Sequence, residues 1–151
     1  MMKNCVVIIV IRRRKQLRKE GNMTIEMKPI GFVSTDVETV PRSWSVSDVK
    51  GKLVIDESYV GGLGDIKPGQ RIYVIFHFHK SPDFTSQFMR IRPPNREEEV
   101  GVFSTHSPFR PNPIGLSLLE VLGIEGNVIQ VKGLDMLDGT PILDIKPEVC
   151  S

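Results

Sequence analysis

Arg71–Lys80 reads RIYVIFHFHK. Strict alternation places Ile72, Val74, Phe76 and Phe78 on one face, with Tyr73, Ile75, His77 and His79 on the other. β-Branched and aromatic residues suit a pleated, half-buried surface, so this stretch predicts a strand whose first face meets a core. Upstream, Lys28–Ser34 (KPIGFVS) and Gly51–Ser58 (GKLVIDES) read as earlier strands. Phe84–Ile91 reads as a short strand whose end carries Arg90, Arg92, Pro93 and Pro94. Ile114–Val121 and Asn127–Gly133 read as a pair joined through Gly123–Gly126. Asp138-Gly139 signals a tight turn between Leu134–Leu137 and a last strand over Thr140–Pro147. On that strand Ile142, Asp144 and Lys146 share one face, which sets a carboxylate beside an ammonium.

Composition supports short strands and turns over a helical bundle: 13 glycines and 11 prolines punctuate 151 residues, a length suited to one domain with a core of its own. The net charge of +2 is unevenly placed. Residues 1–22 carry Lys3, Arg12, Arg13, Arg14, Lys15, Arg18 and Lys19 against Glu20, which leaves −4 for the chain from Met23 onward. That balance is not the bulk signature of a nucleic-acid binder, so any RNA contact needs a local basic patch or a partner subunit's patch. Cys5–Ile11 (CVVIIVI) is apolar, but its charges follow it, opposite to a secretory signal. We expect residues 1–22 to be an extension, disordered or outside the translated protein, and residues 23–151 to form one β-barrel domain. Cys5 and Cys150 have no spacing partners, so neither a metal knuckle nor a disulfide framework is indicated, and a reduced, cytoplasmic setting is expected. No stretch approaches the ~20 apolar residues that span a bilayer.

The chemistry-bearing segment is Gly101–Ser117, GVFSTHSPFRPNPIGLS. It opens like a strand at Val102 and Phe103. Pro108, Pro111 and Pro113 then force an extended loop, stiffened by composition rather than by backbone hydrogen bonds. Ser104, Thr105, His106, Ser107, Arg110 and Asn112 lie along it, and a stiff loop holds such groups in a binding geometry at low entropic cost. Pro41–Ser45 (PRSWS) holds the sole tryptophan, whose indole either stacks on an adenine ring or caps the core. Gly61–Gly69 (GGLGDIKPG) lacks the dinucleotide spacing and is a turn. His77, His79 and His106 could begin a cupin-like metal site, although no glutamate follows at the required distance. The alternative is two imidazoles hydrogen-bonded in a polar barrel interior. Arg90 and Arg92, beside Pro93 and Pro94, suit a carboxylate or phosphate, or simply solvate the surface.

VGVFSTHSPFRPNPIGLSLLEV (Val100–Val121), followed by LDMLDGTPILDIKP (Leu134–Pro147) and preceded by HFHKS and RPP, resembles the TrmO family, also described as VirR/YaeB-like. The likeness runs from about Met27 to Pro147. These are S-adenosylmethionine-dependent tRNA methyltransferases built on a β-barrel. The resemblance implies an all-β, mainly antiparallel, six-stranded barrel with long irregular loops and no Rossmann fold. It implies S-adenosylmethionine as cofactor and threonylcarbamoyladenosine at position 37 of tRNA as substrate. It also implies a homodimer with the cofactor near the subunit interface.

Carried onto this sequence, the cofactor residues are Ser43, Trp44, Ser45, His79, Lys80, His106, Leu137, Asp138, Gly139 and Thr140. Arg92, Arg110, Asn112 and Lys146 face the substrate, and Asp138, Asp144 and Arg110 are the catalytic candidates. Carboxylates and turn amides at Asp135, Asp138 and Asp144 would hold ribose hydroxyls and offset the sulfonium charge. No metal is expected. The chain departs from the family in three places: Ser43-Trp44-Ser45 replaces a common Gln-Pro-Gly, His106 replaces an arginine, and Glu148 replaces a tyrosine. Bacterial members usually carry a further C-terminal domain, so this sequence reads as a short form. Two alternatives remain beside methyl transfer: a metal-dependent barrel enzyme, and a non-catalytic adaptor that senses S-adenosylmethionine.

Overall fold

The computed structural model describes residues 25–149, so the expectations about residues 1–22 and about both cysteines lie outside the described residues. Eight strands follow in order: β1 (Gly31–Ser34), β2 (Lys50–Ile55), β3 (Arg71–His77), β4 (Arg90–Ile91), β5 (Val100–Gly101), β6 (Ile114–Glu125), β7 (Val128–Lys132) and β8 (Pro141–Pro147). Six of them close into a barrel in the order β1-β2-β7-β6-β3-β8, while β4 and β5 pair as a separate two-stranded ribbon. Every pairing is antiparallel. The expected six-stranded, antiparallel, all-β fold is present.

The alternation of Arg71–His77 has the predicted consequence. Ile72, Val74 and Phe76 are 2%, 0% and 4% exposed and face the core, together with Val33, Leu53, Ile55, Leu119, Val121, Ile129, Val131 and Ile142. Across β3 and β6, Val74 pairs with Ser117 and Phe76 with Gly115, so these two β6 residues also point inward. Glycine at 115 is a packing requirement: a Cβ there would lie 2.2 Å from the Phe76 ring. The barrel interior is apolar, which corrects the expectation of a polar interior holding two imidazoles. His77 faces outward on β3, and His79 lies in the turn beyond it, with its amide donating to the His77 carbonyl at 2.8 Å.

Strand polarity sorts the connections. The β1–β2, β3–β6 and β7–β8 segments all lie at one end of the barrel, which we call the mouth. The β2–β3 and β6–β7 connections lie at the other end. Because β7 and β8 stand opposite each other in the ring, residues 133–140 must cross the mouth. This is why Leu134–Leu137, which the sequence placed only as the segment before the Asp138-Gly139 turn, runs as a strap and not as a strand. Leu134 and Met136, 0% and 2% exposed, close the core from above, each burial contributing about 1.5–3 kcal/mol. Asp138-Gly139 does turn the chain: Thr140 N–H donates to Leu137 O at 3.2 Å and Gly139 takes φ +73°.

Two further expectations are corrected locally. Val102 and Phe103 form a 3-10 turn (Val102–Ser104) because the Thr105 amide and hydroxyl both bond back to the Val102 carbonyl, at 3.1 and 2.8 Å. Within Phe84–Ile91 only Arg90–Ile91 is strand, and Ser86–Met89 is a 3-10 turn whose Phe88 stacks on Phe109 at 4.9 Å.

Gly115→Ala should destabilise the barrel by about 1–3 kcal/mol through overpacking against Phe76. Adding Phe76→Leu should return part of that loss, measured as a double-mutant cycle by urea unfolding. Strictly additive losses would show that the ring is not the obstacle.

Candidate functional site at the barrel mouth

The mouth is roofed by three segments whose side chains replace the ladder hydrogen bonds that loops lack. The β1–β2 loop is tied to the crossing strap by Trp44 N–H to Asp135 Oδ2 at 2.7 Å and by Ser47 Oγ to Leu134 O at 2.5 Å. The amides of Gly133 and Leu134 both donate to Val49 O at 3.0 Å. The strap is tied to the wall by Ser117 Oγ to Asp135 Oδ1 at 2.6 Å, and to the start of the β1–β2 loop by Thr35 N–H to Asp138 Oδ1 at 3.0 Å.

Asp135 is therefore a partly buried carboxylate held between the strap, the β1–β2 loop and the inner wall. Burial pushes its carboxyl above the ordinary aspartate value, and the bonds from Ser117 and Trp44, with the charge of nearby His106, oppose that push. It appeared in sequence only among three acids around one turn. Its flanking residues, Leu134 and Met136, carried the available signal: an acid between two core-facing positions must find partners on the other side.

The expected cofactor residues largely converge here. Ser43 caps the 3-10 turn Trp44–Val46, accepting from Ser45 N–H at 3.3 Å and sharing a 2.8 Å hydroxyl contact with Ser45. The Trp44 side chain packs on the core, so its indole caps rather than projects. His79 lies within electrostatic reach of Asp138, while burial and the Lys80 and His77 charges hold its imidazole below the usual histidine range. His77 is lowered likewise by burial, and its Nδ1 is buried without a hydrogen-bond partner among the described residues. Lys80, Asp138 and His106 are exposed. Thr140 is 3% exposed with its hydroxyl on Leu137 O, and the Gly139 amide bonds Val33 O, so these two build the turn that carries Asp138. Leu137 is half-buried beside it.

In the proline loop Arg110 turns inward, Nη1 donating to Thr105 O at 3.0 Å and to Ser107 O at 3.3 Å. Thr105 Oγ1 accepts from Ser107 N–H and Ser107 Oγ from Phe109 N–H, both at 3.2 Å. Local hydrogen bonds as well as composition thus hold this loop. Asn112 and Arg92 are exposed on the same connection. Asp144 and Lys146 are not brought to the mouth. They form a 2.9 Å ion pair on the outer wall, where Asp144 pairs with Ile75, but Ile142 does not share their face: a bulge between the Ile75–Asp144 and Phe76–Ile142 pairs turns Ile142 into the core. Asp144 borders a groove of about 380 Å³ with Ser58, Tyr59 and Ile66, formed by the connection at the opposite end. Among the described residues no three His, Cys, Asp or Glu side chains are grouped to hold a metal, which removes the support for a His77–His79–His106 centre.

The raised Asp135 carboxyl means that the folded chain holds a proton more tightly than the unfolded chain does. This stabilising increment is complete below about pH 4, the unfolded aspartate value, and is lost as pH rises through the folded value. Asp135→Asn keeps the shape without the titration. The stability of wild type relative to Asp135→Asn, from urea unfolding between about pH 4 and about pH 7, should fall with rising pH. A difference that does not change with pH contradicts it.

The chain matches the model of the tRNA-methyltransferase O N-terminal domain over residues 32–150. It is 40% identical over 129 residues to an S-adenosyl-L-methionine-binding protein of Archaeoglobus fulgidus, covering 82% of this chain and 91% of that protein. It is 43% identical over 144 residues to the human tRNA (adenine(37)-N6)-methyltransferase, covering 89% of this chain but 32% of that one. The crystal structure of TrmO from Pseudomonas aeruginosa superposes with a TM-score of 0.66 at 30% identity, covering 84% of this chain and 57% of that chain. The chain thus spans nearly the whole archaeal relative, about a third of the human enzyme and somewhat over half of the bacterial one. With the family model matched along most of its length, on a barrel shared with a solved member, the chain belongs to the TrmO family.

Proposed function

We propose that the chain binds S-adenosylmethionine at the barrel mouth and methylates the exocyclic nitrogen of adenine 37 in tRNA, acting on its threonylcarbamoyl form and as a homodimer. The observation that carries this reading is the convergence of His79, Lys80, His106 and Asp138 on one end of a barrel whose relatives are named for that cofactor and that reaction. The donor set suits the ligand. Lys80 offers an ammonium to a carboxylate, and Asp138 offers a carboxylate to ribose hydroxyls or to positive charge. When bound, S-adenosylmethionine supplies an electrophilic methyl group on a sulfonium.

The protein's part is to position and to handle a proton. The acylated adenine nitrogen has a delocalised lone pair, so removal of its proton assists attack. His79, kept neutral by burial and lying near Asp138, is suited to accept it at the mouth. Asp138 is the carboxylate of the original candidates that lies there, since Asp144 is paired with Lys146 on the wall. Arg110 shapes the loop that presents His106 and Asn112. The exposed Phe103 and Met89 beside this loop fit a surface covered by a second copy.

One observation favours a second reading. The archaeal relatives are named for S-adenosylmethionine binding alone, whereas the mammalian ones are named for methyl transfer. A binding protein without transfer activity accounts for that contrast.

Calorimetric titration with S-adenosylmethionine should give saturable binding, and Asp138→Asn should weaken it about tenfold. His79→Ala should lower kcat on threonylcarbamoyl-tRNA by about 100-fold or more, a loss well beyond its weakening of cofactor binding. Binding without methyl transfer by wild type selects the second reading, and absence of binding by a well-folded protein rejects both.

A further inference from the structure

The mouth segments come from three separate parts of the chain, yet they converge on one side chain. Asp135 Oδ2 takes the Trp44 amide of the β1–β2 loop, Oδ1 takes the Ser117 hydroxyl from the inner wall, and the exposed His106 of the proline loop lies within electrostatic reach. Asp135 itself belongs to the strap that carries Asp138 three residues on. Ser117 is 1% exposed, so it reaches no ligand; whatever it does for binding passes through Asp135. A protein needing only a closed core would be served by Leu134 and Met136. A carboxylate between them is costly to bury and is retained with both oxygens engaged.

We propose that Asp135 is a positioning residue for the cofactor site: by accepting from Trp44 and Ser117 it fixes the β1–β2 loop and the strap relative to one another, and so sets where Asp138 stands. This rests on the reading that S-adenosylmethionine binds at the mouth. Asp135 acts through its two donors and need not touch the ligand.

Wild type, Asp135→Ala, Asp135→Asn and Ser117→Ala would each be titrated calorimetrically with S-adenosylmethionine, at a temperature where urea unfolding shows the variant folded. Trp44, the sole tryptophan, gives an independent readout through its emission in the ligand-free protein. Asp135→Ala should weaken binding about tenfold and shift Trp44 emission. Asp135→Asn, which can accept from the Trp44 amide and donate to Ser117, should restore affinity to within about threefold. Ser117→Ala should weaken binding by about threefold or more although it cannot reach the ligand, and it carries the test should Asp135→Ala not fold. Lower stability with unchanged affinity and unchanged emission in the variants would overturn the proposal and leave Asp135 a purely structural residue. Failure of wild type to bind would instead overturn the cofactor reading, and this proposal with it.

Discussion

Closing six strands in the order β1-β2-β7-β6-β3-β8 sets β7 and β8 on opposite sides of the ring, and the chain between them has nowhere to run but across the opening. That constraint organises the molecule. The crossing must seal the core beneath it, which Leu134 and Met136 do, and it must satisfy its own backbone without a neighbouring strand. Val49 O takes two of its amides, Val33 O takes that of Gly139, and Ser47 donates to Leu134 O. The strap therefore has an apolar underside and a polar margin. The residues of chemical interest, Asp135 and Asp138, lie in that strap because the topology puts polar chain over an apolar core at this one place.

The barrel itself was legible because its strands are short and alternating, and burial reads alternation directly: Ile72, Val74 and Phe76 against Tyr73, Ile75 and His77. The mouth was legible only in part. Resemblance gathered His79, Lys80, His106 and Asp138, but local pattern left Leu134–Leu137 unassigned and gave no sign of a strap. Its apolar spacing is the same whether the partner is a neighbouring strand or the open end of a barrel. The same limit explains Asp144. Alternation set it beside Lys146 but also on the face of Ile142, and the bulge that separates Ile142 in the core from Asp144 on the wall leaves no local mark in the sequence. Asp135 was read only as one of three acids around a turn, and its part as a tie was hidden because its partners, Trp44 and Ser117, are 91 and 18 residues away in sequence.

A closed sheet has no free edges, so every strand is committed to its two neighbours and variation is confined to the connections. Here the two ends have divided. The opposite end uses a tight Gly126 turn and the compact 3-10 turn Glu57–Leu63, while the mouth carries the proline loop, the β4–β5 ribbon, the tryptophan loop and the strap. Loops of this kind gain no ladder and must hold shape by side-chain bonds to backbone. This gives a physical account of the serines, threonines and aspartates concentrated there: Ser43, Ser47, Thr105, Ser107, Asp135, Asp138 and Thr140 each close a loop or a turn. The residue types that attract attention as ligand contacts are thus divided in function. Those with their hydrogen-bonding groups committed, such as Thr140 and Ser47, build the mouth, while Lys80 and His106 are exposed and Asp138, also exposed, commits Oδ1 to the Thr35 amide; these three are the side chains that the proposed cofactor site uses. Sorting polar side chains by whether their hydrogen-bonding capacity is already filled separates scaffold from site where composition alone cannot.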